Sequence, residues 1–208
     1  MLPRADRLIA IEIDAVLAAS LPGAPNLEVV HAGVLETDLA QWGPAVVAGN
    51  LPYYLTSPIL HKTLSLGLLL RRAVFLVQRE VAARLVAAPG SRDYGFLSVR
   101  TQVLAEPSIL FSVPPSAFQP PPKVDSAVVL LIPRDRKAEL ELDSVEQFLA
   151  FAGLCFRQKR KTLRNNLAGA YGRDALDGLP EAGLRAEQVS VERLADLYRR
   201  LPPRGLLY

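Results

Sequence analysis

The sequence contains very few residues of the types that bind metals or form disulfide bonds. Among its 208 residues it has one cysteine, Cys155, and two histidines, His31 and His61. A single cysteine cannot form an internal disulfide bond, so nothing calls for an oxidising compartment, and we expect a buried, unreactive thiol. Neither histidine has a partner at metal-ligand spacing, and no Ser-His-Asp or Cys-His arrangement stands out. We therefore expect neither a metal site nor hydrolytic chemistry.

The sequence also lacks an apolar run long enough to cross a membrane. Its most apolar stretch, residues 63–70, ends at Arg71 and Arg72 and is far shorter than the ~20 residues that a spanning helix needs. Residues 1–7 lack the apolar region and small-residue cleavage site of a signal peptide. We therefore expect a cytoplasmic protein without a membrane segment.

Neither sign of charge dominates the chain. Lys and Arg together number 24 and Asp and Glu together number 21, which gives a net charge of +3 and a pI of about 9.2. Such a small excess favours an anionic partner only weakly, so the distribution of the basic residues matters more than their sum. Half of the residues are apolar, which excludes a disordered chain and allows one substantial core.

The apolar pattern predicts an α/β protein. Short runs rich in Ile and Val predict buried strands at residues 8–13, 27–31, 45–48, 73–77 and 127–132. Stretches compatible with helices lie between several of these runs, at residues 14–21, 58–66 and 79–87. Alternation of this kind is typical of a mostly parallel sheet with helices packed against it.

The character of the sequence changes after Pro133. A charged segment follows, and from Asp143 onward the apolar spacing is helical with almost no β-branched runs. We therefore predict two domains, residues 1–133 and 134–208. Helices are expected in the second domain at residues 145–156, 158–171, 174–179 and 191–201.

The tetrapeptide Asn50-Leu51-Pro52-Tyr53 directly follows a predicted strand, where ligands bind in open α/β sheets. It could be an ordinary polar turn, because Asn and Pro are turn residues. It could also bind an adenine: the Asn50 side-chain oxygen and the Leu51 carbonyl can accept both hydrogens of an exocyclic amine and stabilise it as it becomes cationic. Pro52 would fix the backbone, and the Tyr53 ring could stack on an extruded base.

Two stretches resemble one enzyme family. Residues 49–54, Gly-Asn-Leu-Pro-Tyr-Tyr, look like motif IV of the ribosomal RNA adenine methyltransferases. Residues 113–129 (VPPSAFQPPPKVDSAVV) are similar to the loop and strand that follow later in the bacterial small-subunit ribosomal RNA adenine dimethyltransferases. The resemblance implies a Rossmann-like class I methyltransferase sheet followed by a small all-helical domain, with S-adenosylmethionine as the cofactor.

The resemblance also implies roles for three further residues. Phe118 would be the second wall of a sandwich around the target base, opposite Tyr53, although a Phe at a proline turn can also be a core anchor. Glu12 looks like the motif II acid, which would accept the ribose hydroxyls of the cofactor, and Asn50 would border the same site. Gly33 stands where the family usually has an Asp that recognises the cofactor's adenine, and glycine has no side-chain acceptor.

The family begins with an arm, a strand and a glycine-rich turn that cradles the cofactor, and this sequence starts after them. In the family the absent strand lies between the strands predicted at residues 8–13 and 45–48. Without it, we expect these two strands either to pair directly or to leave backbone groups unpaired. We therefore expect the 208-residue chain to be marginally stable, with little cofactor binding and no detectable methyl transfer by itself, and a chain extended upstream to show both.

A basic segment near residue 160 predicts RNA binding. Arg157, Arg160, Lys161 and Arg164 are spaced i, i+3, i+4 and i+7, which would align them on one face of the predicted helix, and Lys159 adds a further charge. A solvated face is the usual reason for such a run. Here no acidic residue lies between Phe151 and Tyr171, so contact with RNA phosphates is the better explanation.

By resemblance, the protein would dimethylate two adjacent adenosines near the 3′ end of small-subunit ribosomal RNA, as a monomer that needs no metal. A non-catalytic RNA-binding factor of ribosome assembly is the main alternative, favoured by Gly33 and by the absent glycine-rich turn. The related large-subunit RNA methyltransferases are a third possibility. The proline-rich loop and the basic segment argue against them.

Overall fold

The computed structural model describes residues 2–201, in which six strands form two separate sheets. In the first sheet β1 (Leu8–Glu12) and β2 (Leu27–His31) are parallel. The second sheet has the order β3-β4-β6-β5, with β4 parallel to β3 and antiparallel to β6. Its strands are β3 (Ala45–Asn50), β4 (Leu70–Gln78), β5 (Ala105–Val113) and β6 (Ser126–Pro133).

All five predicted strands are present, and the α/β class is confirmed. The sequence pattern did not predict β5 or the helix before it, α4 (Phe96–Leu104). Strand β5 lies at the edge of its sheet, most of its side chains are exposed, and its apolar run, residues 109–111, is only three residues long. It also contains Pro107, which an edge strand tolerates because one side of its backbone needs no partner.

The three helices predicted in the first part of the chain are confirmed within two residues at each end. They are α1 (Ala15–Ser20), α2 (Thr56–Leu64) and α3 (Arg79–Val86). Direct pairing of β1 with β3, one of the two arrangements expected from the sequence, does not occur in the part of the chain that the structure describes.

Three helices, α5 (Val145–Cys155), α6 (Leu163–Tyr171) and α7 (Val191–Arg200), dominate the residues after β6. The predicted helix at 158–171 is wrong over its first five residues, because Thr162 caps α6 by accepting a hydrogen bond from the Asn165 N–H at 3.4 Å. The predicted helix at 174–179 is only a 3-10 turn, Asp174–Leu176, and the chain then turns at Gly178, where φ is 81°.

The core of these helices extends across the predicted domain boundary. Phe148, Phe151 and Leu194 are buried together with Tyr94 and Val99, which precede residue 133. The division into residues 1–133 and 134–208 remains a prediction, and residues 202–208 lie outside the described part. Because the two parts share this core, we expect them to unfold together.

The burial of Cys155 in this shared core agrees with the expectation from the sequence. Its side chain is fully buried, and burial raises the pKa of the thiol. A thiol that stays protonated is a poor nucleophile, so Cys155 contributes packing rather than chemistry.

Tyr94 provides a test of the core. Its ring is 1% exposed, its hydroxyl has no hydrogen-bond partner among the described residues, and burial raises its pKa. Tyr94→Phe should therefore raise the free energy of unfolding, by about 1–3 kcal/mol, because it removes an unsatisfied polar group. Urea denaturation measures this value.

The matched control is Tyr198→Phe. The Tyr198 hydroxyl donates to Gln147 Oε1 at 3.2 Å, so its removal should lower the free energy of unfolding by about 1 kcal/mol. Equal losses of stability in the two variants would contradict the prediction for Tyr94.

Candidate active site and nucleic-acid interface

At the end of β3, the Asn50 side chain is free and the backbone of the next residue, Leu51, is hydrogen-bonded. Asn50 is the last residue of the strand, is exposed, and makes no side-chain hydrogen bond with any residue from 2 to 201. The next residue, Leu51, is 6% exposed, and its N–H donates to the Leu76 carbonyl at 3.1 Å. The strand pairing and the buried Leu51 side chain therefore hold the backbone still, and the Asn50 amide is left open to a ligand.

Tyr53 is held at the same edge of the sheet. Pro52 has φ −60° and ψ 130°, and its carbonyl accepts the Leu55 N–H at 2.9 Å, which starts a 3-10 turn, Tyr53–Leu55, before α2. The Tyr53 hydroxyl lies 3.0 Å from Oγ of Ser126, a fully buried residue at the start of β6. This hydrogen bond fixes the position of the half-buried Tyr53 ring.

Phe118 lies on the loop between β5 and β6. That loop leaves the sheet after Val113, which pairs with Ser126, so it begins and ends at the edge where Tyr53 lies. The Phe118 N–H donates to the Pro115 carbonyl at 3.1 Å, and its side chain is half-buried. No contact between the Tyr53 and Phe118 rings is found among the described residues, so the base sandwich remains a prediction.

A cavity of about 580 Å³ opens beside this loop. Its lining residues are Gln78, Arg79, Glu80, Ala83, Asp93, Pro115, Lys123, Val124 and Asp125. Neither Tyr53 nor Phe118 is among them. Neither Arg79 nor Lys123 is among the site residues predicted from the sequence. The position of Arg79, directly after a strand at the ligand-binding edge, is a signal that could have indicated a binding role.

The carboxyl ends of β1 and β2 bring two predicted cofactor residues together. Glu12 ends β1 opposite His31, and its Oε1 accepts the Asp14 N–H at 2.9 Å. Gly33 follows β2, and its carbonyl accepts the Thr37 N–H at 3.1 Å and the Thr37 hydroxyl at 2.8 Å. Between them lies Ile13, which is 72% exposed. A carboxylate beside an exposed apolar side chain fits the ribose and the base of a nucleoside.

The predicted basic helical face is wrong. Arg157, Lys159, Arg160 and Lys161 lie in the loop between α5 and α6, so helical spacing does not align them. The Asn166 side chain holds this loop: its Nδ2 donates to the Cys155 carbonyl at 2.7 Å and to the Gln158 carbonyl at 3.2 Å, and its Oδ1 accepts the Gln158 N–H at 3.1 Å. A loop that is held by a side chain of α6 replaces the first part of the predicted helix.

The basic residues of this loop are exposed and mostly unpaired. Lys159 Nζ donates to the Arg92 carbonyl at 3.2 Å, whereas Arg157, Arg160 and Lys161 have no side-chain partner among residues 2–201. Arg164 differs, because it lies in the first turn of α6 and forms an ion pair with Asp177 at 2.7 Å. Asp177 lies beyond the interval in which the sequence shows no acidic residue.

Comparison with known families identifies the chain. A sequence model described as ribosomal RNA adenine dimethylase matches residues 1–201. The chain belongs to the ribosomal RNA adenine dimethylase family. It is therefore related to enzymes, the rRNA methyltransferases, and the α/β fold is the one that this family uses.

Curated relatives of this family cover nearly the whole chain. It is 45% identical to the ribosomal RNA small subunit methyltransferase A of Acidobacterium capsulatum, over 97% of the chain and 76% of that protein. The proteins of the same name from Chlorobium luteolum and Koribacter versatilis are 41% and 40% identical, over 93% and 95% of the chain and 71% and 78% of those proteins.

Two solved structures of rRNA methyltransferases share the fold. A dimethyladenosine transferase from Plasmodium falciparum has a TM-score of 0.77 and 25% identity, over 96% of this chain and 84% of that one. The 23S rRNA methyltransferase ErmE has a TM-score of 0.68 and 31% identity, over 96% of this chain and 83% of that one. The fold is therefore shared with an enzyme that methylates 23S rRNA.

Residues 2–201 contain neither a candidate metal cluster nor a candidate membrane-spanning helix. No group of three or more His, Cys, Asp or Glu side chains in this part of the chain could hold a metal ion. None of its helices is both long enough and apolar enough to cross a bilayer.

Asn166 provides a test of the basic loop. Asn166→Ala removes the acceptor of the Gln158 N–H, so the Gln158 amide should exchange with solvent about tenfold faster, as expected for the loss of one to two hydrogen bonds of about 0.5–1.5 kcal/mol each. The neighbouring exposed Asn165 makes no side-chain bond in the described part, which makes Asn165→Ala the matched control. Equal Gln158 exchange rates in the two variants, measured by NMR, would show that Asn166 does not hold the loop.

Proposed function

We propose that this member of the family transfers methyl groups from S-adenosylmethionine to the exocyclic amines of two adjacent adenosines near the 3′ end of small-subunit rRNA. One observation supports this above all: Asn50 has a free side chain beside the anchored Leu51 backbone, next to Tyr53, at the carboxyl edge of the sheet. We also expect the protein to act as a monomer in the cytoplasm, where small subunits assemble.

The identities favour the small subunit over the large one. The relatives named as small-subunit enzymes are 40–45% identical to the chain, against 31% for the 23S rRNA enzyme. The two types would share the chemistry of the amine, so the difference concerns which RNA is bound.

The amine acceptors are the first part of the mechanism. The Asn50 side-chain oxygen and the Leu51 carbonyl would each accept one hydrogen of the target amine. The Leu51 carbonyl belongs to the peptide bond with Pro52, and because a proline restricts the backbone of the residue before it, this carbonyl keeps its direction without reorganisation. Fixed acceptors favour the transition state, in which the nitrogen becomes cationic. The cationic product can lose its proton to water, so no strong general base is needed.

Tyr53 and Phe118 would position the base. The Tyr53 ring is fixed through Ser126, and the loop that carries Phe118 starts from the strand residue paired with Ser126. A base taken out of the RNA stack can be held between two such rings, each worth about 1–3 kcal/mol in stacking. The two rings are not in contact with each other, as is required if a base is to lie between them.

The cofactor would supply an electrophilic methyl group. Glu12 would hold the ribose hydroxyls through the carboxylate oxygen not bonded to Asp14, and the backbone at Gly33 would border the adenine. Asn50 would separate this site from the target amine. All three residues lie at carboxyl ends of parallel strands, where nucleotides bind in α/β sheets.

The basic loop would bind RNA phosphates. Arg157, Lys159, Arg160 and Lys161 are exposed in the loop that precedes α6. Arg164 would contribute less, because Asp177 already neutralises it. An RNA-binding assembly factor without catalysis would keep this loop, and Gly33 is the observation that favours it.

The Asn50→Ala variant distinguishes the enzyme from such a factor. In the protein as the cell produces it, methyl transfer to undermethylated small subunits should fall roughly 100- to 1000-fold, as for the loss of one transition-state hydrogen bond. Binding to the subunits should not change, and Asn165→Ala should alter neither quantity. Undiminished transfer by Asn50→Ala would exclude the proposed role of Asn50, and absence of transfer by the unmodified protein would favour the assembly factor.

The salt dependence of RNA binding tests the basic loop. Replacing Arg157 and Arg160 with Ala should reduce the slope of log K against log salt by roughly 0.7–0.9 for each RNA phosphate that the variant no longer binds. Replacement of Arg71 and Arg72 with Ala is the control with the same change of charge. Both residues are exposed near the start of β4, and the candidate active site lies at the other end of that strand. Equal slopes for the two double variants would show that the loop does not bind phosphates.

A further inference from the structure

The space beside Gly33 is already filled by a carboxylate. A Cβ atom at residue 33 would stand 1.9 Å from Oε2 of Glu36 and 2.9 Å from its Cδ. Both distances are far below a van der Waals contact, so the Glu36 carboxylate occupies the place that a side chain at residue 33 would take. The residue type at position 33 gives no sign of this carboxylate, which belongs to Glu36.

The turn after β2 explains how Glu36 reaches this place. The Gly33 carbonyl accepts the Glu36 N–H at 3.2 Å and the Thr37 N–H at 3.1 Å, and Thr37 is 8% exposed. These bonds fold the chain back over residue 33. Since Gly33 has no side chain, the Glu36 carboxylate can lie against it without a clash.

The same point adjoins the predicted nucleoside site. The Ile13 Cδ1 lies 3.5 Å from the position of the missing Cβ, so the exposed Ile13 side chain and the Glu36 carboxylate are close neighbours. The Ile13 carbonyl lies 3.1 Å from His31 Nε2, which holds the backbone between Glu12 and Asp14. Two carboxylates, of Glu12 and Glu36, thus flank one apolar side chain at the ends of β1 and β2.

The Glu36 carboxylate is not used within the protein. It is exposed, and it forms neither a hydrogen bond nor an ion pair with any residue in the described part. Lys62 reaches the same turn, but its Nζ donates to the Leu35 carbonyl at 2.7 Å instead. An acceptor with free lone pairs beside an apolar surface is suited to the edge of a base.

We propose that Glu36 supplies the acceptor that Gly33 lacks, and that its carboxylate accepts a hydrogen bond from the exocyclic amine of the cofactor's adenine. The proposal rests on the proposed function, which places the cofactor at the ends of β1 and β2. Ile13 lies against the face of the adenine, Glu12 binds the ribose, and Glu36 selects the base. The Glu36 carboxylate lies in the space that a side chain at residue 33 would occupy.

The amine makes this selection measurable. Adenine presents an N–H donor at its 6-position, whereas hypoxanthine presents an oxygen there, which a carboxylate repels. The protein as the cell produces it should therefore bind S-adenosylhomocysteine at least roughly tenfold more tightly than S-inosylhomocysteine. Perturbation of the Ile13 and Glu36 amide resonances by the ligand separates this site from the target-adenosine site at Asn50.

Three variants test the role of Glu36. Glu36→Ala should weaken S-adenosylhomocysteine binding by roughly tenfold or more and remove the preference over S-inosylhomocysteine. Gly33→Ala should have the same effect without changing Glu36, because its Cβ displaces the flexible carboxylate. The double variant Gly33→Asp/Glu36→Ala should restore the preference, since it returns a carboxylate to the same space.

Glu106→Ala is the matched control, because Glu106 is an exposed acid on β5, in the other sheet, without an ion pair in the described residues. It should bind both ligands like the unmodified protein. A preference retained by Glu36→Ala, or not restored by the double variant, would overturn the assignment of Glu36 and leave the proposed function intact. Absence of S-adenosylhomocysteine binding to the protein as the cell produces it would overturn both.

Discussion

The pairing of β4 with β3 on one side and with β6 on the other determines where the candidate active site lies. Because β4 is parallel to β3, the ends of both strands reach one edge, and because β6 is antiparallel to β4, β6 starts at that edge. The same pairing sets Ser126 within reach of the Tyr53 hydroxyl. Asn50, Tyr53 and the loop with Phe118 therefore depend on one set of backbone hydrogen bonds, although they are far apart in sequence.

The residues proposed to bind the target amine and those proposed to bind the cofactor belong to different sheets. The amine acceptors lie on the second sheet, where the core around Phe75 and Val129 is fully buried. Glu12 ends a strand of the first sheet and Glu36 lies in the turn after its other strand, and both strands are only partly buried. The backbone that aims the amine acceptors is thus the more firmly held, as is required of groups that must not reorganise during the reaction.

In the proposed cofactor site, Glu36 would take the role of an acceptor at residue 33. Gly33 removes the acceptor but also opens a space, and the turn at Thr37 brings the next acid into that space. The residue type at position 33 shows only that an acceptor is absent there. The interatomic distances show that the Glu36 carboxylate lies in the same space, and binding would depend on where the carboxylate lies and not on which residue bears it.

The sequence by itself determined the α/β class, five of the six strands and the motif at Asn50, because buried strands and special turns require particular residues locally. It could not determine β5, because this exposed edge strand has no long apolar run. Hydrogen bonds to β6 hold β5 in the sheet. It also gave the wrong backbone for the basic segment: the charges fit a helix, but Thr162 and Asn166 form local hydrogen bonds that make a loop. Only the three-dimensional structure decided that Glu36 lies in the space beside Gly33. The turn after β2 brings the carboxylate there, and the spacing of residue types along the sequence does not show that turn.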